Sequence, residues 1–269
     1  MRLLRTDRLE VVDFLGQDIP PYAILSHTWA EEEVTLQDVQ QGLSQSRLGY
    51  DKVTGACAVA VQDGFEYIWI DTCCIDKTSS SELSEAINSM FKWYSDAEVC
   101  YAFLRDVKAD EDPHWQWSAF RRSRWFTRGW TLQELIAPGV VYFYGADWKL
   151  IGCRDKLLNV IVQVTNINPH YFVTGELSEF SAAQKMSWAA NRHTTRPEDE
   201  AYCLLGLFDI NMPLLYGEGE RAFQRLQEEI LRQSEDDSLF SHMQDQILAT
   251  SPPTSLPPGT TFCPPTTTS

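Results

Sequence analysis

No stretch of this chain approaches the ~20 consecutive apolar residues that a membrane-spanning helix needs. The opening residues, Met1-Arg2-Leu3-Leu4-Arg5-Thr6-Asp7, carry charges where a secretory leader needs its apolar core. Together these predict an intracellular, cytoplasmic protein with no membrane partner. Metal-binding spacing is missing as well. Seven cysteines include no C-x-x-C, Cys73 and Cys74 are adjacent and so a poor chelate and a poor disulfide, and five histidines are scattered. No metal site is expected. Cys57, Cys100 and Cys203 sit in apolar runs and read as small core residues. There is no Walker A lysine motif and no G-x-S-x-G elbow. Basic residues are scarce: 22 Lys and Arg against 38 Asp and Glu leave a formal charge of −16. Such a field argues against a nucleic-acid partner.

What is present is an ordinary globular composition over 269 residues, 43% hydrophobic and 22% charged, enough for one large domain with a real core. The chain divides into three regions: residues 1–148, 149–237 and 238–269. In the last, six of 13 prolines fall between Pro252 and Pro265 among Thr and Ser. That composition predicts a disordered tail or a linker leading to further chain.

The first region alternates two kinds of segment. Tyr22–Ser26, Tyr67–Ile70, Val99–Leu104 and Val140–Tyr144 are continuous apolar runs, the signature of strands buried on both faces of a parallel sheet. Helical patterns lie between them. Val53, Cys57, Ala60 and Val61 share one face before Gly64. Ser79-Ser80-Ser81-Glu82 reads as a capping box ahead of the stripe Leu83, Ile87, Met90, Phe91 and Tyr94. A third helix is expected from about Trp125 to Ile136, stopped by Pro138-Gly139. The order β-α-β-α-β-α-β predicts an α/β fold, an open and mostly parallel flavodoxin-like sheet flanked by helices. Ligands of such sheets bind beyond the carboxyl ends of the strands, here Ser26-His27, Asp71-Thr72, Arg105-Asp106 and Gly145-Ala146. The second region reads as an added α-helical C-terminal portion: Ala182–Ala190, Pro197–Leu207 and Glu218–Gln233, the last with Glu228 and Arg232 as an i,i+4 pair.

Several motifs have competing readings. Gly217-Glu218-Gly219-Glu220-Arg221-Ala222 matches G-x-G-x-x-A, but no β-α-β unit surrounds it and its two acids would repel a pyrophosphate. It reads as a helix start whose acids complete the dipole. Arg121, Arg122, Arg124 and Arg128 form a basic island, either a solvated face paired with acids or a phosphate-facing patch. Glu134, in Trp130-Thr131-Leu132-Gln133-Glu134-Leu135, stands on the helix before the fourth strand. It is either half of a Thr131-x-x-Glu134 capping box or an acid at the edge of the inward stripe, within reach of a crevice.

Taken together, several stretches resemble the fungal heterokaryon-incompatibility (HET) domain. They are Tyr22-Ala23-Ile24-Leu25-Ser26-His27-Thr28-Trp29, Trp69-Ile70-Asp71-Thr72-Cys73-Cys74-Ile75-Asp76-Lys77 and Arg128-Gly129-Trp130-Thr131-Leu132-Gln133-Glu134-Leu135-Ile136-Ala137-Pro138. Met186-Ser187-Trp188-Ala189, Thr194–Asp199 and Met212–Gly219 add to the match. The resemblance implies a cell-death effector of allorecognition and innate immunity. Such a domain often precedes a nucleotide-binding oligomerisation domain and acts through self-association.

That family is in turn similar to Toll/interleukin-receptor (TIR) domains. Their enzymatic members carry a catalytic glutamate on the helix before the fourth strand, often as S-x-W-C-x-x-E-L. Here Ser123-x-Trp125 is followed, after an insertion, by Trp130-x-x-x-Glu134-Leu135. The likeness implies a TIR-like fold and an NAD hydrolase (NADase) that takes NAD as substrate, needs no cofactor and cleaves the nicotinamide–ribose bond. It makes Glu134 the catalytic residue. Ser26, His27 and Asp71 are expected to line the crevice, Trp29, Trp125 or Trp130 to stack on a ring, and Arg128 to meet the pyrophosphate. The alternative is a death-signalling adaptor without catalysis.

Overall fold

The computed structural model describes residues 1–14, 16 and 18–233; the tail expected over 238–269 lies outside the described residues. The chain opens with an antiparallel pair, β1 (Arg2–Arg5) and β2 (Val11–Asp13). Then follow β3 (Ala23–His27), α1 (Leu36–Gln40), α2 (Tyr50–Gln62), β4 (Tyr67–Trp69), α3 (Asp71–Cys74), α4 (Ser80–Asp96) and β5 (Val99–Phe103). After a long loop come α5 (Thr131–Ile136), β6 (Val141–Tyr144) and β7 (Leu150–Cys153). The remainder is helical: α6 (Leu158–Thr165), α7 (Tyr171–Thr174), α8 (Ala182–Ala189), α9 (Asp199–Tyr202) and α10 (Arg221–Gln233).

All seven strands form one sheet in the order β2-β1-β4-β3-β5-β6-β7. The four apolar runs are its centre, where β4, β3, β5 and β6 pair in parallel. Every residue of β3 and β5 is buried, as continuous apolar strands require. β1 and β7 add antiparallel strands to either side of this centre. The sheet is thus an open α/β sheet, parallel only in the middle. The register Ser26↔Ala102 and His27↔Phe103 brings the carboxyl ends of β3 and β5 level.

Several local expectations change. β7 follows Trp148 and pairs with β6, so the sheet continues into the second region, which is not purely helical. The helix expected from Trp125 to Ile136 is broken. A 3-10 turn covers Arg124–Thr127, and α5 starts at Thr131. Gly129 lies at the break, pressed so closely on Thr194 and Cys203 that a Cβ there would sit 2.5 Å from Thr194 Cγ2. Val61 points outward, and Ala56 and Val59 take its place in the buried face of α2. Ser79 Oγ caps α4 by accepting from Glu82 N, but the Glu82 carboxylate turns to Asp76 N and Arg2 and does not close a box. The helix expected from Pro197 to Leu207 is α9 followed by a 3-10 turn over Leu205–Phe208. Arg232 pairs with Glu229, three residues away, and not with Glu228.

The C-terminal helices pack on the sheet layer through α4. Gly206 packs tightly against it: a Cβ there would lie 2.1 Å from Phe91 Cβ, which α4 holds in place. Overpacking of this kind costs about 1–3 kcal/mol. Gly206→Ala is therefore expected to lower the thermal midpoint by roughly 3–10 °C in calorimetry; an unchanged midpoint contradicts this packing.

Candidate functional site

α5 has six residues, all buried. A helix this short gains little from its own hydrogen bonds, so its neighbours fix its position. At its start, Thr131 Oγ1 turns back to the Trp125 carbonyl and accepts from Arg192 Nη1 at 2.9 Å. The same guanidinium nitrogen reaches the Arg128 carbonyl at 3.0 Å. At its end, Arg154 donates to the carbonyls of Leu135, Pro138 and Gly139 at 3.0, 2.7 and 2.7 Å. Tyr171 Oη donates to the Ile136 carbonyl at 3.0 Å. A cation over a helix's last carbonyls is the favourable polarity. The Thr131–Glu134 capping box does not form, because the threonine hydroxyl is used on carbonyls behind it. The Glu134 carboxyl points away from its own helix start and pairs with β3.

There Glu134, 7% exposed, accepts from Ser26 Oγ at the carboxyl end of β3. Ser26 Oγ in turn accepts from Trp125 Nε1 at 2.8 Å. An indole N–H only donates, so the serine proton is left for the carboxyl group. Burial pushes Glu134 up to about 8. The Ser26 hydroxyl opposes that rise, the Asp71 charge adds to it, and Tyr94 and Arg192 oppose it.

Asp71, the first residue of α3, has the opposite character. Its Oδ1 lies 2.8 Å from His27 Nε2, and its Oδ2 accepts from Trp29 Nε1 at 2.9 Å and Lys77 Nζ at 3.4 Å. Behind His27, Lys52 Nζ stands 2.6 Å from His27 Nδ1 and 2.6 Å from Glu33 Oε1. An ammonium has no acceptor, so Nδ1 accepts and Nε2 carries its proton toward Asp71. Burial and the Lys52 charge hold His27 below its ordinary range, and burial also lowers Lys52. Burial raises Asp71, but Lys77, His27 and Lys52 together outweigh it and hold that carboxyl well below the ordinary range. Near neutral pH Asp71 is therefore ionised and Glu134 protonated, a pairing that suits acid–base or charge-stabilising chemistry.

Both acids line one cavity of about 240 Å³. Trp29 and Trp130 share its wall, α4 contributes Leu83, Ile87 and Met90, and the C-terminal part contributes Arg196, Asp199 and Tyr216. Lys77 Nζ sits 3.5 Å from the centroid of the Trp29 ring, and the Arg196 guanidinium sits 4.7 Å from that of Tyr216. Among the described residues, no group of three or more His, Cys, Asp or Glu side chains is arranged to hold a metal ion.

Of the eight residues expected at the site, Glu134, Asp71, Trp29 and Trp130 reach this cavity. Ser26 and His27 are buried and act on it through Glu134 and Asp71. Trp125 cannot stack on a ligand, since its ring is 1% exposed and packs edge-on against Phe126 and Phe143. Arg128 does not line the cavity and donates to Thr195 Oγ1 at 3.2 Å. The basic island is not a helix face: Asp106 accepts from Ser123 Oγ and Arg124 N, and Arg121 donates to Gln163. The amides of the Gly217–Gly219 loop are also taken, since Glu198 Oε1 accepts from both at 2.8 and 3.0 Å. No role is legible in the sequence for Lys52, Lys77, Arg192, Arg196, Asp199 or Tyr216, although Lys77, Arg196, Asp199 and Tyr216 stand within the stretches that carry the family resemblance. Lys52 stands beside the apolar stripe of α2 and is buried with it.

The comparisons agree with the motifs. The heterokaryon incompatibility protein (HET) family model matches residues 22–116. Vegetative incompatibility protein HET-E-1 of Podospora anserina is 50% identical over 242 residues, 86% of this chain. The chain belongs to the HET family. It spans 18% of the length of that relative. A domain of unknown function, DUF8212, matches residues 221–262 of this HET protein, beginning at the first residue of α10. No solved structure matches. No described helix of this HET chain is long and apolar enough to cross a membrane.

The protonation state of Glu134 is visible in stability. Its folded value of about 8 stands above the ordinary 4.5, so the folded state holds a proton that the unfolded chain has released. That group's contribution is full below about 4.5 and falls as pH rises toward 8, by on the order of a few kcal/mol. Glu134→Gln, a neutral isostere, removes the loss. The variant is expected to match the parent's thermal midpoint near pH 5 and exceed it increasingly up to pH 9. A pH-independent difference contradicts a neutral buried acid.

Proposed function

We propose that this chain is the effector part of a heterokaryon-incompatibility protein and that it hydrolyses NAD at the nicotinamide–ribose bond. The observation that supports this reading is Glu134. It is a buried acid on the helix before the fourth parallel strand, in a cavity with an apolar wall and two indoles. On the likeness to TIR domains drawn from the sequence, this position is the counterpart of their catalytic glutamate.

The chemistry suits a single acid. The C1′–N bond breaks with its electron pair going to the pyridinium nitrogen, so nicotinamide leaves neutral and needs no proton. The positive charge passes to the ribose, where the Glu134 carboxylate stabilises it. Water adds to C1′ and releases a proton, giving ADP-ribose. The two-carboxylate arrangement of ordinary glycosidases is not required. The cationic ring finds Trp130 on the cavity wall, an indole face that attracts positive charge, beside Trp29 and Tyr216, which already carry Lys77 and Arg196. Its approach favours the ionised form of Glu134, with the proton passing to solvent.

Self-association is the proposed trigger, with NAD as substrate and a downstream nucleotide-binding oligomerisation domain as the part that drives assembly. The alternative, an adaptor that signals by assembly alone, draws support from Trp115 and Trp117, which are 54% and 59% exposed. Catalysis decides between them. Glu134→Gln is expected to lower NAD cleavage by on the order of 10²-fold or more, with folding and assembly intact, and to abolish killing. In the parent, kcat/KM should rise with pH through about 8, as Glu134 ionises. Ser26→Ala removes a hydroxyl that favours the carboxylate, so the rising limb should move to higher pH. Killing that survives Glu134→Gln leaves the adaptor.

A further inference from the structure

The cavity is too small for a whole dinucleotide. At about 240 Å³ it lies below the ~300 Å³ at which ordinary ligand pockets begin, room for a planar ring and its ribose. The rest of a dinucleotide, beginning with its pyrophosphate, must cross the rim. Two cations line that rim, and one is already committed: Lys77 pairs with Asp71 and lies on Trp29. Arg128 lies outside the lining and is bonded to Thr195. Arg196 lines the cavity, is exposed to solvent and rests on the Tyr216 ring; its charge acts on Glu198 and Asp199, but among the described residues no carboxylate lies within 4 Å of it as an ion pair.

Its position is built into the chain. Thr194 Oγ1 donates to the Arg196 carbonyl at 2.6 Å. Two residues on, Glu198 Oε1 accepts from the amides of Gly217 and Gly219. Both glycines have positive φ, 105° and 62°, a backbone that L side chains rarely adopt. Tyr216 Oη donates to Asp199 Oδ1 at 2.9 Å. Residues 194–199 and 213–219 are therefore tied together, with the guanidinium supported against one face of a fixed ring. A planar guanidinium held in this way can grip a pyrophosphate in bidentate fashion.

We propose that Arg196, presented by Tyr216, is the residue that binds the pyrophosphate of the substrate, so that the C-terminal helical part selects a phosphorylated nucleotide over its nucleoside. This rests on the NAD reading above and assigns to Arg196 the role first expected of Arg128. The test uses the Glu134→Gln chain, which binds without turnover, titrated calorimetrically with NAD and with nicotinamide riboside, which has the same ring and ribose but no phosphate. Adding Arg196→Ala is expected to weaken NAD about tenfold or more and to leave nicotinamide riboside within about twofold, with Arg196→Lys in between. Equal losses for both ligands, or none for either, overturn the proposal while leaving the NAD reading intact. If the Glu134→Gln chain takes up neither ligand, the NAD reading fails and the proposal falls with it.

Discussion

Removing a carboxyl group from water is costly unless it stays protonated or finds a charge partner. This protein places one such group, Glu134, on a six-residue helix inside its core. Much of the surrounding structure serves to hold it there. Ser26 binds the carboxyl itself and is held in turn by Trp125, while Arg154, Tyr171 and Arg192 hold the two ends of its helix. Those last three come from beyond β6. The C-terminal part therefore does more than cover the sheet, because without it α5 has no fixed ends.

The second acid is managed by the opposite means. Asp71 is drawn into a line of alternating groups, Glu33, Lys52, His27, Asp71 and Lys77, that runs from the interior to the cavity rim. A buried chain of charges is expensive to assemble, but breaking it leaves an uncompensated charge inside. Asp71 and Glu134 thus face one cavity in different protonation states, as their surroundings dictate. A site of this kind can meet a cationic ring with one fixed negative charge and one that appears as the ligand arrives.

The parallel centre of the sheet was legible because strands buried on both faces are apolar throughout, as in Val99-Cys100-Tyr101-Ala102-Phe103. The antiparallel strands β1, β2 and β7 were not, being three or four residues long with charges or glycine among them, as in Arg2-Leu3-Leu4-Arg5 and Leu150-Ile151-Gly152-Cys153. The break before α5 was hidden for a different reason. It follows from Gly129 packing on Thr194 and Cys203, contacts that no local pattern encodes. Asp71 could be singled out because strand ends are where such sheets bind ligands, whereas Glu134, on a helix, stands out through the likeness of its stretch to a family motif. Arg196 and Tyr216 stand in quoted motif stretches, but local pattern could not bring them to this cavity, which they reach from loops more than sixty residues further on.

The pairing of the two acids requires Glu134 to be a neutral acid in the resting protein. Infrared difference spectroscopy of the parent against Glu134→Gln tests this directly. The prediction is a protonated carboxyl C=O band present at pH 7 that disappears as pH rises through about 8. A spectrum showing only carboxylate at pH 6 contradicts it.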